Sequence, residues 1–206
     1  MIALADCVTE LEQRGFLGWD NDRLEYFVKA GARRVLQSER TWPFARRDDV
    51  AVSPGEPVTG LGCVIEVRSN GLLVPHRKRN ALIAMGYDPA STGDGARAWY
   101  VHGVAASIGG GTPDMTILTT PRNDSELRVD YFLSTPGIVD DWDCIPFDFE
   151  DAIKDAAQLC AAKDAKDWAT VQGLREDLNA QIGALVEAFY DQQLAENEYV
   201  IAVLDD

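Results

Sequence analysis

Residues 20–44 read DNDRLEYFVKAGARRVLQSERTWPF, and the reading of this stretch decides the fold. Leu24, Phe27, Val28, Gly31, Val35 and Leu36 recur in the i, i+3, i+4, i+7 rhythm of an amphipathic helix with one buried stripe. Asp20 or Asn21 can cap its start, because a short side-chain oxygen accepts from the free N–H groups of a first turn. Pro43 pushes Trp42 out of the α region, so the helix is expected to stop by about Thr41. Trp42 and Phe44 then form an aromatic plug at a corner between a helical part and a β-rich part.

Working outward, Ala3–Arg14 reads as a preceding helix with Leu4, Cys7, Val8 and Leu11 on one face. Gly15 suits the left-handed residue that commonly follows a helix end. Beyond Phe44 the period changes from helical to alternating. Asp49–Val52, Cys63–Arg68, Leu72–Pro75, Arg97–His102, Met115–Thr119 and Glu126–Leu133 read as short strands, with a short helix at Arg79–Met85. Asn70-Gly71 lies between two apolar runs and predicts a hairpin joining Cys63–Arg68 to Leu72–Pro75. In the last strand Leu127, Val129, Tyr131 and Leu133 share one face. Gly109-Gly110-Gly111 and Arg122–Ser125 read as turns.

After residue 140 the helical period returns. A third helix opens near Phe147 or Asp148, with Phe149, Ile153, Ala156 and Cys160 on one face. A polar break at Asp164–Asp167 precedes a fourth, running to about Gln193. Its expected stripe is Trp168, Val171, Leu174, Leu178, Ile182, Leu185 and Phe189. Four apolar stripes can bury one another. The expected class is α+β: a four-helix core made by the N- and C-terminal helix pairs, with an inserted small antiparallel β domain. The expected divisions are 1–44 and 140–195 for the two helix pairs, 45–139 for the β domain, and 196–206 for a C-terminal tail. In that tail Tyr199, Val200, Ile201, Ala202, Val203 and Leu204 are apolar and rich in β-branching, which favours an extended arm over a helix.

The net charge of −15 is uneven: residues 140–206 carry 17 acids against 4 bases. A surface this acidic repels a phosphate backbone, so tight nucleic-acid binding is not expected. It remains compatible with a wall past which DNA slides. The longest apolar runs fall short of the roughly 20 residues a membrane helix needs. The first residues lack the basic and apolar regions of a secretory signal, so a protein made in the cytoplasm is expected. The four cysteines, Cys7, Cys63, Cys144 and Cys160, have no metal-ligand spacing and are expected to be reduced and mostly buried.

Residues bearing catalytic chemistry do not converge. His76 lies in a basic loop and His102 ends a strand; neither has a nucleophile or ligand set at a recognisable spacing. Gly109–Thr112 lacks the lysine and following helix of a phosphate-binding loop. Asp140, Asp141 and Asp143 are not spaced as a calcium loop. No catalytic, cofactor or metal residue is therefore expected. Arg77, Lys78 and Arg79, with nearby Arg68, form the one basic cluster, read either as a solvated loop or as a contact with an acidic surface such as a neighbouring copy.

The order of these features resembles the head–tail connector (adaptor) proteins of tailed bacteriophages. The marks are the helical pair ending in Trp42-Pro43-Phe44, then Met85–Ala90, Arg97–Val101 and Leu127–Tyr131 in the β-rich part, and the return through Ile145-Pro146-Phe147. The resemblance implies a structural protein of the virion neck, not an enzyme. It implies a closed homo-oligomeric ring, usually a dodecamer, that docks on the portal protein, extends the DNA channel and gives downstream neck or tail proteins a platform. DNA would pass without specific binding, and no membrane is involved. In such proteins the C-terminal tail reaches the portal, which assigns Tyr199–Leu204 to portal docking. Arg77–Arg79 is then a candidate contact between copies. A stopper or tail-completion (terminator) protein of the same neck is the nearest alternative; a hydrolase with a site in the β domain is a more distant one.

Overall fold

The computed structural model describes residues 2–39, 41–88, 91–93, 95–103, 115–121 and 126–204, and side chains only as far as residue 189. The expected turns at 109–111 and 122–125 lie outside the described residues. The chain forms two units. One comprises Met1–Phe44 with Asp141–Asp206, the other Ala45–Asp140. Helices and small antiparallel sheets together make the fold α+β.

In the first unit, α1 spans Leu4–Gln13 and α2 spans Asn21–Leu36. Gly15 has φ +119°, a value that costs glycine nothing for want of a Cβ. Asp20 occupies the capping position of α2, but its side chain makes no capping bond. The helix also ends earlier than Thr41. Ser38 donates its hydroxyl to the Val35 carbonyl at 2.6 Å, and the Trp42 indole N–H donates to the Leu36 carbonyl at 2.9 Å. Those bonds satisfy carbonyls that another helical turn would otherwise have used.

A 3₁₀ turn at Phe147–Phe149 leads into α5, Glu150–Asp164, and Asp167 starts α6, Trp168–Leu204. Asp167 caps α6 by accepting the Thr170 N–H at 3.2 Å and the Thr170 hydroxyl at 2.6 Å. Helix α5 packs most extensively on α2, and also on α1 and α6. Its Ala152, Ile153, Ala156, Ala157, Leu159, Ala161 and Ala162 are all buried. The small side chains let neighbouring helices come close. Trp42, Phe44, Phe149 and Phe189 form one aromatic cluster, with centroids 5.0 Å apart for Trp42–Phe149 and 5.3 Å for Phe149–Phe189. Edge-to-face pairs such as Trp42–Phe149 add attraction beyond their buried area.

Helix α6 departs from expectation twice. Trp168, placed on its apolar stripe, is 63% exposed, while Val171 and Leu178 are buried. Trp168 is the first residue of the helix, and an apolar stripe does not by itself fix how much of it a neighbour covers. Tyr199–Leu204, expected to be extended, belongs to α6. No glycine or proline interrupts the chain after Gly183. Adding a residue to an existing helix gains a hydrogen bond without a new nucleus. That outweighs the few tenths of a kcal/mol by which each β-branched residue disfavours helix.

In the second unit, β1 (Arg46–Val52), β3 (Leu61–Ser69), β4 (Leu72–Leu73) and β7 (Leu127–Leu133) form an antiparallel sheet in the order β1-β7-β3-β4. Asn70 (φ 51°) and Gly71 (φ 76°) make the two-residue turn that joins β3 to β4, with Ser69 opposite Leu72. Two positive φ angles mark the primed turn whose twist matches a hairpin. On β7, Leu127, Val129, Tyr131 and Leu133 are buried, as the alternation required. Asp130 on the other face is buried too, and it is satisfied. It accepts the Asp49 N–H at 2.8 Å and takes both carboxylate oxygens to Arg68, at 2.9 and 3.1 Å. Asp49 has φ 54° at the bulge in β1.

A second sheet has the order β2-β6-β5, with β2 at Pro57–Val58, β6 at Met115–Thr120 and β5 at Ala98–Gly103. Helix α3, Arg79–Ala84, places Leu82 against Ala98, Tyr100 and Leu118 of this sheet. The short helix α4, Thr135–Asp140, has no clear signal in its Thr-Pro-Gly start. Ser134 begins it, accepting the Gly137 N–H on its hydroxyl at 3.3 Å. Pro136 is tolerated there because first-turn N–H groups lack helical partners anyway.

Candidate functional site

Arg77, Lys78 and Arg79, expected to form one basic cluster, are all exposed, and of the three Arg77 alone lines a pocket among the described residues. The backbone from Pro75 to Arg77 runs along the outer edge of β5. Trp99 donates its N–H to the Pro75 carbonyl at 3.0 Å, and Arg77 donates its N–H to the Trp99 carbonyl at 3.0 Å. His76 forms a parallel bridge with Trp99 and packs on its ring at 4.5 Å. Lys78 then precedes α3 and Arg79 opens it, both exposed. Arg97, just ahead of β5, is fixed by donating its N–H to the Thr120 carbonyl at 2.9 Å.

This arrangement leaves a pocket of about 210 Å³ lined by Arg77, Arg97, Thr120, Leu82, Met85, Tyr87, Pro75 and Ala98. Neither Arg77 nor Arg97 has an ion-pair partner among the described residues. Thr120 is 1% exposed, and its hydroxyl has no hydrogen-bond partner. A buried hydroxyl without a partner forfeits the water it would otherwise bind, so it favours an incoming polar group. Two guanidinium groups and a free hydroxyl beside apolar walls suit a carboxylate on an aliphatic stem. Arg97 and Thr120 carried no signal in the sequence. They meet Arg77 only through the pairing of β5 with its two neighbours.

Arg68, grouped with the basic loop in the sequence, does not join it. Its charge is spent on Asp130, and Asp49 lies 3.9 Å away. His102 on β5 contributes its backbone carbonyl to the Thr116 hydroxyl at 2.8 Å.

A second polar cluster belongs to the helical unit and is engaged except for the buried Oε1 of Gln181, which has no hydrogen-bond partner among the described residues. Arg14 donates to Asp155 at 2.6 Å and to Glu10 at 2.6 Å, and Gln181 of α6 donates to Asp155 at 2.9 Å. Lys154 pairs with both Glu10 and Glu150. The hydrogen bond from Lys154 holds the Glu10 carboxyl below its ordinary value, helped by Arg14. Burial works against the charge of Lys154, but its bonds to Glu10 and Glu150 prevail and raise its pKa. These groups tie α1, α5 and α6 together and leave no spare acid or base.

The cysteines are not joined in disulfides, but they are not mostly buried as expected. Cys7 is buried, and burial pushes its pKa up to about 11. Cys63 is exposed, and Cys144 and Cys160 are half-buried.

The portal-docking candidates Tyr199, Val200, Ile201, Ala202, Val203 and Leu204 occupy the last turns of α6 and share no element with the basic loop. No helix of the described residues is long and apolar enough to cross a membrane. Compared with known proteins, the chain matches no family model and no curated sequence.

Proposed function

We propose that this chain is a structural protein of a tailed-phage virion, a head-to-tail adaptor whose copies form a closed ring on the portal, extend the DNA channel and present a platform to the tail. The observation that carries the reading is the Trp42-Pro43-Phe44 corner. It follows the end of α2 and packs Trp42 and Phe44 against Phe149 and Phe189, so both ends of the chain build one helical unit while the β-rich residues fold as another. In this reading α1, α2, α5 and α6 constitute a four-helix core. The strong negative charge suits a channel through which DNA must pass unbound. The last turns of α6 act as a docking arm on the portal, helical rather than extended. Binding of an amphipathic helix in a groove is a common mode of such recognition.

The test is electron cryomicroscopy of assembled particles with the chain identified in the map. A ring seated directly on the portal is the expected result. A ring one level further down identifies a stopper or terminator instead. Deleting residues 197–206 should leave the fold intact and abolish portal binding. A truncated protein that docks with unchanged affinity refutes the arm.

A further inference from the structure

The pocket between α3 and the β5–β6 pair is lined by Arg77 and Arg97, which have no ion-pair partner among the described residues, and by Thr120, whose buried hydroxyl has no hydrogen-bond partner among them. The chain supplies the complementary chemistry in excess. Along the described side chains of α6, Glu176, Asp177 and Glu187 are exposed against a single base, Arg175. Val171 and Leu178 are the buried residues of this helix, and the adjacent Glu176–Asp177 pair remains in solvent.

We propose that the pocket receives the carboxylate of Glu176 or Asp177 from α6 of a second copy, and that this contact joins neighbouring subunits. The proposal rests on the ring reading above. Arg77 and Arg97 hold the two carboxylate oxygens, and the Thr120 hydroxyl donates to one of them. Leu82, Met85 and Tyr87 cover the aliphatic stem. The two surfaces are chemically different, so the contact is head-to-tail. Such contacts close into rings when the rotation between copies divides a full turn. Opposite charge steers the encounter and excludes the wrong register.

The experiment mixes isotope-labelled and unlabelled full-length protein and treats it with a zero-length carbodiimide, which couples lysines to carboxylates. Lys78, next to Arg77, is the reporter. Cross-links of mixed isotope composition between Lys78 and Glu176 or Asp177 are expected. In parallel, the double variant R77E/R97E should lower self-association about tenfold or more. Adding E176R and D177R to the same chain should restore it. Arg77 and Arg97 are exposed, so an unchanged thermal midpoint confirms that the variants fold. Undiminished association in R77E/R97E, failure of the charge swap to restore it, or cross-links confined to one copy would each overturn the pocket contact. Assembly through cross-links that avoid Lys78 also overturns it while leaving the ring intact. A wild-type chain that stays monomeric at its solubility limit does the same, because the particle image tests the ring separately.

Discussion

Gly31 lies against the main chain of Ala157: a Cβ on Gly31 would sit 2.5 Å from the Ala157 nitrogen and 2.8 Å from its Cα. Helices α2 and α5 therefore approach at a distance only a hydrogen permits. Gly31→Ala should destabilise the helical unit by about 1–3 kcal/mol, since the obstacle is backbone and cannot rotate aside. Chemical denaturation reads the loss. Adding Ala157→Gly should not rescue it, because the clashing atoms remain.

The two tryptophans Trp42 and Trp168 should respond oppositely. Trp42 is 1% exposed, lies among three phenylalanines and donates to the Leu36 carbonyl. Trp42→Ala should cost about 3–5 kcal/mol. Trp42→Phe should cost about 1–3 kcal/mol, much of it from the carbonyl left unpaired. Trp168→Ala should change the unfolding free energy by no more than about 0.5 kcal/mol, as surface substitutions do.

Asp130 holds the β1 bulge to β3 by accepting from Asp49 and Arg68 at once. Asp130→Ala should destabilise the β unit by about 1–3 kcal/mol, because it strands the part-buried Asp49 N–H and an arginine. Hydrogen exchange should show the amide of Asp49 losing protection first. Asp48→Ala, which removes only the exposed pairing with Arg46, should be nearly silent.

Glu10 makes the helical unit sensitive to acid. Its folded carboxyl titrates below the ordinary value because Lys154 and Arg14 hold the charged form. A depressed carboxylate contributes stability that is present above its unfolded pKa, near 4.3, and is lost as pH falls through the folded value. Glu10→Gln should therefore be less stable than wild type at pH 7, and the two stability curves should converge as pH falls through the depressed folded value. Lys154 has the opposite sign. Its raised pKa gives stability that is complete below about pH 10.4 and is lost only above it. A gap between wild type and Glu10→Gln that stays constant down to pH 2 would refute the assignment.

Local chemistry made much of this fold legible in the residues themselves. Helix α2 announces itself because six apolar residues repeat at its own period. The β3–β4 turn does so because Asn-Gly tolerates positive φ at both positions. Strand β7 alternates because the face that carries Leu127, Val129, Tyr131 and Leu133 is buried. Each of these signals acts within a few residues of where it is read.

Tertiary structure decided what depends on partners far along the chain. A stripe says that a helix has an apolar side, not how much of that side meets a neighbour, so Trp42 and Trp168 look alike in sequence and end in opposite environments. Asp130 occupies the polar face of an alternating strand, yet it is buried because Arg68 and Asp49 reach it from two other strands. The pocket is the clearest case. Arg77, Arg97 and Thr120 are separated by tens of residues, and only the hydrogen-bonded register of β5 brings two arginines without an ion-pair partner among the described residues into one pocket with Thr120.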